Sequence, residues 1–291
     1  MQLSNRTKGI LYLILSSFGF AVLSLFIRLA GDVPVMEKTL YRSAITSLIC
    51  IPLMAGAGCF RDLSRGGLSA VLPKGCGPDL LWRCIYGITG MVAYFWTIDH
   101  MGLADANMLS KTSPFFSILF SLWLLKEQPA KLDYVCILIA MAGAALVVKP
   151  TRGIASLPAL IGLLGGFISG GAYTYVRRLG MRGLKSPVIV FCFSVFSVAV
   201  TLPFVLLSSS HARGMQILYL VLAACFAAMT QLSLTVAYRY APAKEISVFD
   251  YSQVLFAAFF GLVIWGELPD LLSMAGYVLI VAGAAMRIFL R

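Results

Sequence analysis

Apolar runs long enough to cross a lipid bilayer fill almost the whole chain, and they leave it few folds. A spanning helix needs about 20 mostly apolar residues. Ten such segments can be drawn, at roughly 9–30, 34–56, 79–101, 105–125, 131–149, 156–178, 187–208, 214–240, 243–265 and 270–290. In hydrocarbon each backbone polar group must be satisfied within the protein, so runs of this length are helices. Composition agrees: of 291 residues 60% are hydrophobic and 12% charged, about half the ~25% charged share of a soluble domain. The expected fold is an all-α polytopic membrane protein with ten transmembrane helices. The first run follows Arg6 and Lys8, is too long for a signal-peptide core and is read as a retained helix.

Turn chemistry separates the runs, at Gly31-Asp32-Val33-Pro34, Gln128-Pro129, Lys149-Pro150, Ser186-Pro187, Ala241-Pro242 and Leu268-Pro269. The longest connection, about 57–78, is rich in Gly, Arg and Ser. With the N-terminus placed in the cytoplasm, sixteen Lys and Arg fall on inner segments and six on outer ends, with Lys111 inside a helix. That bias puts both termini in the cytoplasm and the protein in the cytoplasmic membrane. It also assigns the net charge of +11 to loops that face anionic lipid rather than to nucleic acid. The seven cysteines are odd in number and form no CxxC, so no disulfide framework follows. Two distant histidines, His100 and His211, make no metal site, and no cofactor motif is present.

The chain also repeats itself. Under a single offset of 140, Glu127 falls on Glu267, Pro129 on Pro269, Asp105 on Glu245, and Ala142-Gly143-Ala144-Ala145 on Ala282-Gly283-Ala284-Ala285. Ten helices in two halves give five each. Five is odd, so the second half enters the membrane in the opposite sense and the repeat is inverted. The halves are drawn at 1–150 and 151–291. Inverted repeats in membrane chains mark secondary transport, with the site near the midplane between them.

Two charges lie inside helices, where they cost free energy. Lys111 sits in Ser110-Lys111-Thr112-Ser113-Pro114 and Asp250 in Phe249-Asp250-Tyr251-Ser252-Gln253, at matching positions of the two copies. In the functional reading, Lys111 attracts an anionic substrate group and Asp250 partners a cation or proton. In the plainer reading, Lys111 reaches the interface and Asp250 pairs with Arg239 or Lys244. Asn107, Ser110, Ser113, Gln231 and Gln253 offer hydrogen bonds to a ligand or between helices. Tyr94, Trp96 and Tyr251 offer stacking surfaces or packing. Pro114 is expected to kink its helix and free the carbonyl of Ser110. Arg42 either steers anions or neutralises Asp32, Glu37 or Asp99. Glu127 and Glu267 order tight Glu-x-Pro connections. Gly162, Gly166 and Gly170 form a small-residue row suited to close helix contact, internal or in a dimer.

Ala104-Asp105-Ala106-Asn107, Ser113-Pro114-Phe115-Phe116, Leu125-Lys126-Glu127 and Ala142-Gly143-Ala144 resemble the signature half of an EamA-type repeat. Ala241-Pro242-Ala243, Gly266-Glu267 and Ala282-Gly283-Ala284 resemble its second copy. The chain therefore resembles a ten-helix member of the drug/metabolite transporter superfamily. The resemblance implies two inverted five-helix bundles around a central cavity, and secondary transport of a small organic metabolite, often export. Its partners would be that substrate, the bilayer and a coupling proton or counter-substrate, with the chain acting as a monomer or homodimer. Val254 stands where the first copy has Pro114. The rival classes are an intramembrane enzyme, which needs a His, Asp or Cys cluster at one depth, and a scaffold, which tolerates loss of the embedded charges.

Overall fold

The structure, a computed structural model, describes residues 4–67, 71–73, 75–126, 131–148, 156–208, 211–240 and 247–289, without the side chains of 66, 231, 232, 235, 238, 239, 247, 248 and 287–289. The described residues form helices α1 (Asn5–Leu29), α2 (Val35–Gly56), α3 (Cys59–Gly66), α4 (Cys76–His100), α5 (Leu103–Ser110), α6 (Ser113–Leu124), α7 (Lys131–Val148), α8 (Leu157–Met181), α9 (Ser186–Leu207) and α10 (Met215–Tyr240). A 3-10 turn (Ser247–Tyr251) then runs into α11 (Ser252–Trp265), and α12 (Leu271–Phe289) follows. Local chemistry sets several starts. The Ser4 hydroxyl accepts the Thr7 N–H at the head of α1, and a proline occupies the first turn of α8 and of α9.

These helices make ten passes, because α5 and α6 share one pass and the 3-10 turn and α11 share another. Five helices are singly long and apolar enough to cross a membrane. The fourth and ninth passes, expected as continuous helices over 105–125 and 243–265, are interrupted instead. The first four residues of the ninth segment lie outside the described residues.

The packing of the described helices repeats under the offset of 140. α1 packs along α10, and the corresponding passes of the other half, α8 and α4, pack in the same way. α6 against α8 is mirrored by α11 against α1. Two pairings map onto themselves: α2 with α9, and α7 with α12. Single glycines obey the same rule. A Cβ on Gly143 would come within 2.7 Å of the Gly276 carbonyl, and one on Gly283 within 3.1 Å of the Cys136 carbonyl. The offset of 140 converts the first contact into the second. The repeated Ala-Gly-Ala-Ala run is thus the place where α7 and α12 cross backbone to backbone.

The row of glycines on α8 faces inward. A Cβ at Gly166 would meet the Leu109 carbonyl at 2.8 Å, and one at Gly170 the Ser113 carbonyl at the same distance. Of the two uses expected for this row, internal packing is the one seen, and it seats α8 against the interrupted pass α5–α6. One face of the bundle carries the start of α1, helix α3 and the α8–α9 turn. Here Arg178 and Arg182 pair with Asp79, and Lys185 with Asp62. We refer to it as the basic face.

Candidate functional site

Both interruptions fall at one register. Lys111 and Thr112 leave the helix between α5 and α6, and the 3-10 turn gives way to α11 at Tyr251 and Ser252. Pro114 does not kink a continuous helix. It sits in the first turn of α6, where its missing N–H is no loss. In the second copy the 3-10 turn passes directly into α11 at this register, with Val254 where the first copy has Pro114. Interrupted helices of this kind bring backbone termini and polar side chains to the centre of a membrane protein, where transporters build their sites.

The two embedded charges meet there. Lys111 Nζ donates to Asp250 Oδ2 at 2.5 Å, and the Ser17 hydroxyl donates to Asp250 Oδ1 at 3.1 Å. The Lys111 and Asp250 side chains are 11% and 25% exposed. Lys111 therefore does not extend to the interface, and Asp250 is held by Lys111 of the other half. A buried pair of this kind is neutral as a unit, and removing one member leaves an uncompensated charge.

The pair borders a cavity of about 310 Å³, formed by α1, α4, the α5–α6 pass, α8, α10 and the 3-10 turn with α11, together with α2 and α9. Of the candidates from the sequence, Ser110, Ser113, Pro114, Tyr94, Gln253 and Arg42 line it. Among the described residues Arg42 has no carboxylate partner. Asp99 is bound by Lys38 through both oxygens, at 2.6 and 2.7 Å, and Glu37 accepts the Ala212 N–H at 3.0 Å. The contact of the Arg42 guanidinium is the Met91 sulfur, 2.7 Å away. Three further lining residues had escaped notice: Arg83, Tyr173 and Ser169. The charge distribution places Arg83 on an inner segment. Its depth becomes evident only because α4 begins at Cys76, one full turn and more before it.

Other candidates have different surroundings. Asn107 is fully buried and acts as a knot: the Tyr94 hydroxyl, the Ser24 hydroxyl and the Gln253 amide all donate to its carbonyl oxygen. Tyr251 directs its hydroxyl at the Lys111 carbonyl, 3.4 Å away. Trp96 stacks on His100 at 3.9 Å, away from the cavity lining. Glu127, Glu245 and the side chains of Gln231 and Tyr238 lie outside the described residues.

Glu267 closes the face opposite the basic one. Gly266 takes a left-handed conformation (φ +67°) that ends α11, with the Glu267 N–H returning to the Gly261 carbonyl at 3.1 Å. The turn aims Glu267 at Arg28 of α1, which donates through both terminal nitrogens. The Leu103 N–H adds a third bond, and the Arg28 guanidinium lies 4.4 Å from the Trp265 ring. Burial alone would raise the carboxyl pKa, but the Arg28 bonds outweigh it and hold it below the usual value. At the same offset in the first half, Lys126 has the same left-handed backbone, at φ +54°.

Known proteins agree with this architecture. The model of the EamA-like transporter family matches residues 7–149 and 156–289. The chain is 34% identical to the pseudopaline exporter CntI of Pseudomonas aeruginosa, over 97% of this chain and 96% of that protein. It is 24% identical to human solute carrier family 35 member G1, over 96% of this chain and 79% of that protein. A solved crystal structure 18% identical to it superposes with a TM-score of 0.63, over 97% of this chain and 96% of the other, which bears on the fold alone.

Proposed function

Since the chain belongs to the EamA-like transporter family, whose members are transporters and not enzymes, we propose that it exports a small anionic organic metabolite across the cytoplasmic membrane by alternating access. The observation that carries this reading is the Lys111–Asp250 pair, which joins the two inverted halves at their helix breaks inside one cavity. A substrate anion entering from the basic face takes Asp250's place on Lys111. Asp250 is then free to take the coupling proton, and the exchange keeps the membrane interior neutral. The basic face is the cytoplasmic one by the distribution of Lys and Arg, with both termini on that side. The opposite face, closed by Arg28–Glu267, is the exit. The Pseudomonas relative is named for export, which favours that direction.

The test compares small anions released into the medium by cells expressing the chain and cells expressing Lys111→Ala at equal membrane levels. Enrichment by the native chain alone is expected. Equal media would remove Lys111 from the mechanism, and with it this reading. A companion measurement uses Asp250→Asn: its transport is expected to lose dependence on an imposed proton gradient, and an unchanged dependence would remove the proton from Asp250.

A further inference from the structure

The cavity holds more positive charge than its ion pair accounts for. Lys111 and Asp250 cancel, but Arg42 and Arg83 line the same space. Among the described residues neither arginine has a carboxylate partner: Arg42 meets the Met91 sulfur, while the Arg83 guanidinium lies 4.4 Å from the Phe193 ring with its Nε buried and unbonded. Arginine does not discharge by losing a proton, as lysine does when buried. Two fixed cations at this depth in a membrane are expensive unless an anion answers them.

The backbone is arranged to hold Arg83 there. Its side chain lies along α4 over Gly87, where a Cβ would collide with the guanidinium and come within 2.7 Å of Phe193. Glycine at that position lets the long side chain run up its own helix toward the cavity, instead of down toward the basic face as a lysine or arginine near a helix start ordinarily would.

From these observations we propose that Arg42 and Arg83 form a second anion subsite and that the transported class is a small organic dianion, either a dicarboxylate or a phosphate monoester. This inference rests on the anion-transport reading above. With the Lys111–Asp250 pair intact, the cavity carries a net charge of two positive units, which one such molecule neutralises. The planar guanidinium groups suit the paired oxygens of a carboxylate or phosphate. The aromatic walls at Phe20, Tyr94, Phe95, Tyr173 and Phe193 would take the carbon skeleton. A volume of about 310 Å³ lies at the small end of ligand pockets, ~300–1,000 Å³.

The experiment measures thermal stabilisation of the purified protein by glutarate, glycerol 3-phosphate, butyrate and neutral glutaramide. Glutarate or glycerol 3-phosphate is expected to bind, and which of them does so identifies the oxygen acid. Butyrate and glutaramide are expected to bind at least tenfold more weakly, roughly the effect of losing one hydrogen bond to a charged group. Arg83→Gln is expected to erase the advantage of the dianion and Arg83→Lys to keep part of it. Gly87→Ala, which keeps every charge but displaces the guanidinium, should also weaken dianion binding. Equal binding of butyrate and glutarate, no response to either dianion, or an undiminished advantage in both Arg83→Gln and Gly87→Ala would overturn the subsite. If the anion released by cells in a Lys111-dependent manner carries a single charge, the subsite fails while the transport reading stands. If release ignores Lys111, the transport reading itself has failed.

Discussion

Neutralising Lys111 and Asp250 singly and together separates what the pair does for stability from what it does for transport. Removing one member of a buried ion pair costs about 3–5 kcal/mol, because the other charge stays behind without a partner. Here Asp250 is 25% exposed, Lys111 11%, and both border a cavity. Partial solvation moves the expected loss to about 2 kcal/mol for Lys111→Met or Asp250→Asn alone. The double variant leaves no stranded charge. It should lie within about 1 kcal/mol of the native protein, giving a coupling free energy near 3 kcal/mol. Transport should nevertheless be lost in both variants that lack Lys111, the residue that holds the substrate anion, and should persist without proton dependence in Asp250→Asn. The assay is denaturant unfolding of the purified variants beside flux in proteoliposomes. Coupling below about 0.5 kcal/mol, within the error of additive sites, would deny that the two charges feel one another. Flux at the native rate in the double variant would make the pair purely structural.

Glu267 predicts a pH effect. Its carboxyl is held below its ordinary value of 4.5 in the folded state, so its contribution is complete above that pH and is lost as pH falls through the folded-state value. The unfolding temperature of Glu267→Gln should therefore lie below that of the native chain at pH 7, and the two should converge in strong acid; a gap that persists there contradicts the Arg28 assignment. Lys126 occupies a left-handed backbone position that costs an L-residue about 1–2 kcal/mol. Lys126→Gly should stabilise the protein by about 1 kcal/mol in the same unfolding assay, and a loss would mean that the lysine side chain contributes more than its backbone costs.

The passes and the pairing of the two copies could be read in the sequence because both follow from quantities summed over many residues, hydropathy and the offset of 140. The interruptions could not. A residue such as Thr112 has ordinary composition on either side, and the break in the second copy has no proline to announce it. Lys111 and Asp250 stood out as charges inside apolar runs, yet their mutual contact is a tertiary fact between residues 139 positions apart. Arg42 and Arg83 were harder. Each lies within two turns of a helix end, where a long basic side chain normally reaches the interface, and the charge count treats both as boundary residues. What reverses that reading for Arg83 is a glycine four positions on, and what reverses it for Arg42 is that Lys38 and the Ala212 N–H had already taken its expected partners. Neither signal has a periodicity.

The same offset carries an argument about the transport cycle. A pair of inverted repeats changes access when its halves exchange conformations. A contact in one state then reappears, shifted by 140, between the opposite halves in the other. Lys111 against Asp250 maps onto Tyr251 against Ser110, two neutral hydroxyl side chains. Opening toward the Arg28–Glu267 face thus separates the charges and offers no equivalent pair in return. With neither an anion on Lys111 nor a proton on Asp250, that exchange is disfavoured by about 2 kcal/mol, or roughly thirtyfold. The empty carrier should rest in the state seen here, with Lys111 on Asp250. A single cysteine at Leu23, which lines the cavity and is 2% exposed, reports on this when the seven native cysteines are removed. In the absence of substrate, an impermeant maleimide on the Arg28–Glu267 side should label it slowly. With Lys111→Met and Asp250→Asn together, labelling should quicken about tenfold or more. Equal rates in the two proteins would show that the pair does not hold the gate, and that the asymmetry between Lys111 and Tyr251 serves the substrate alone.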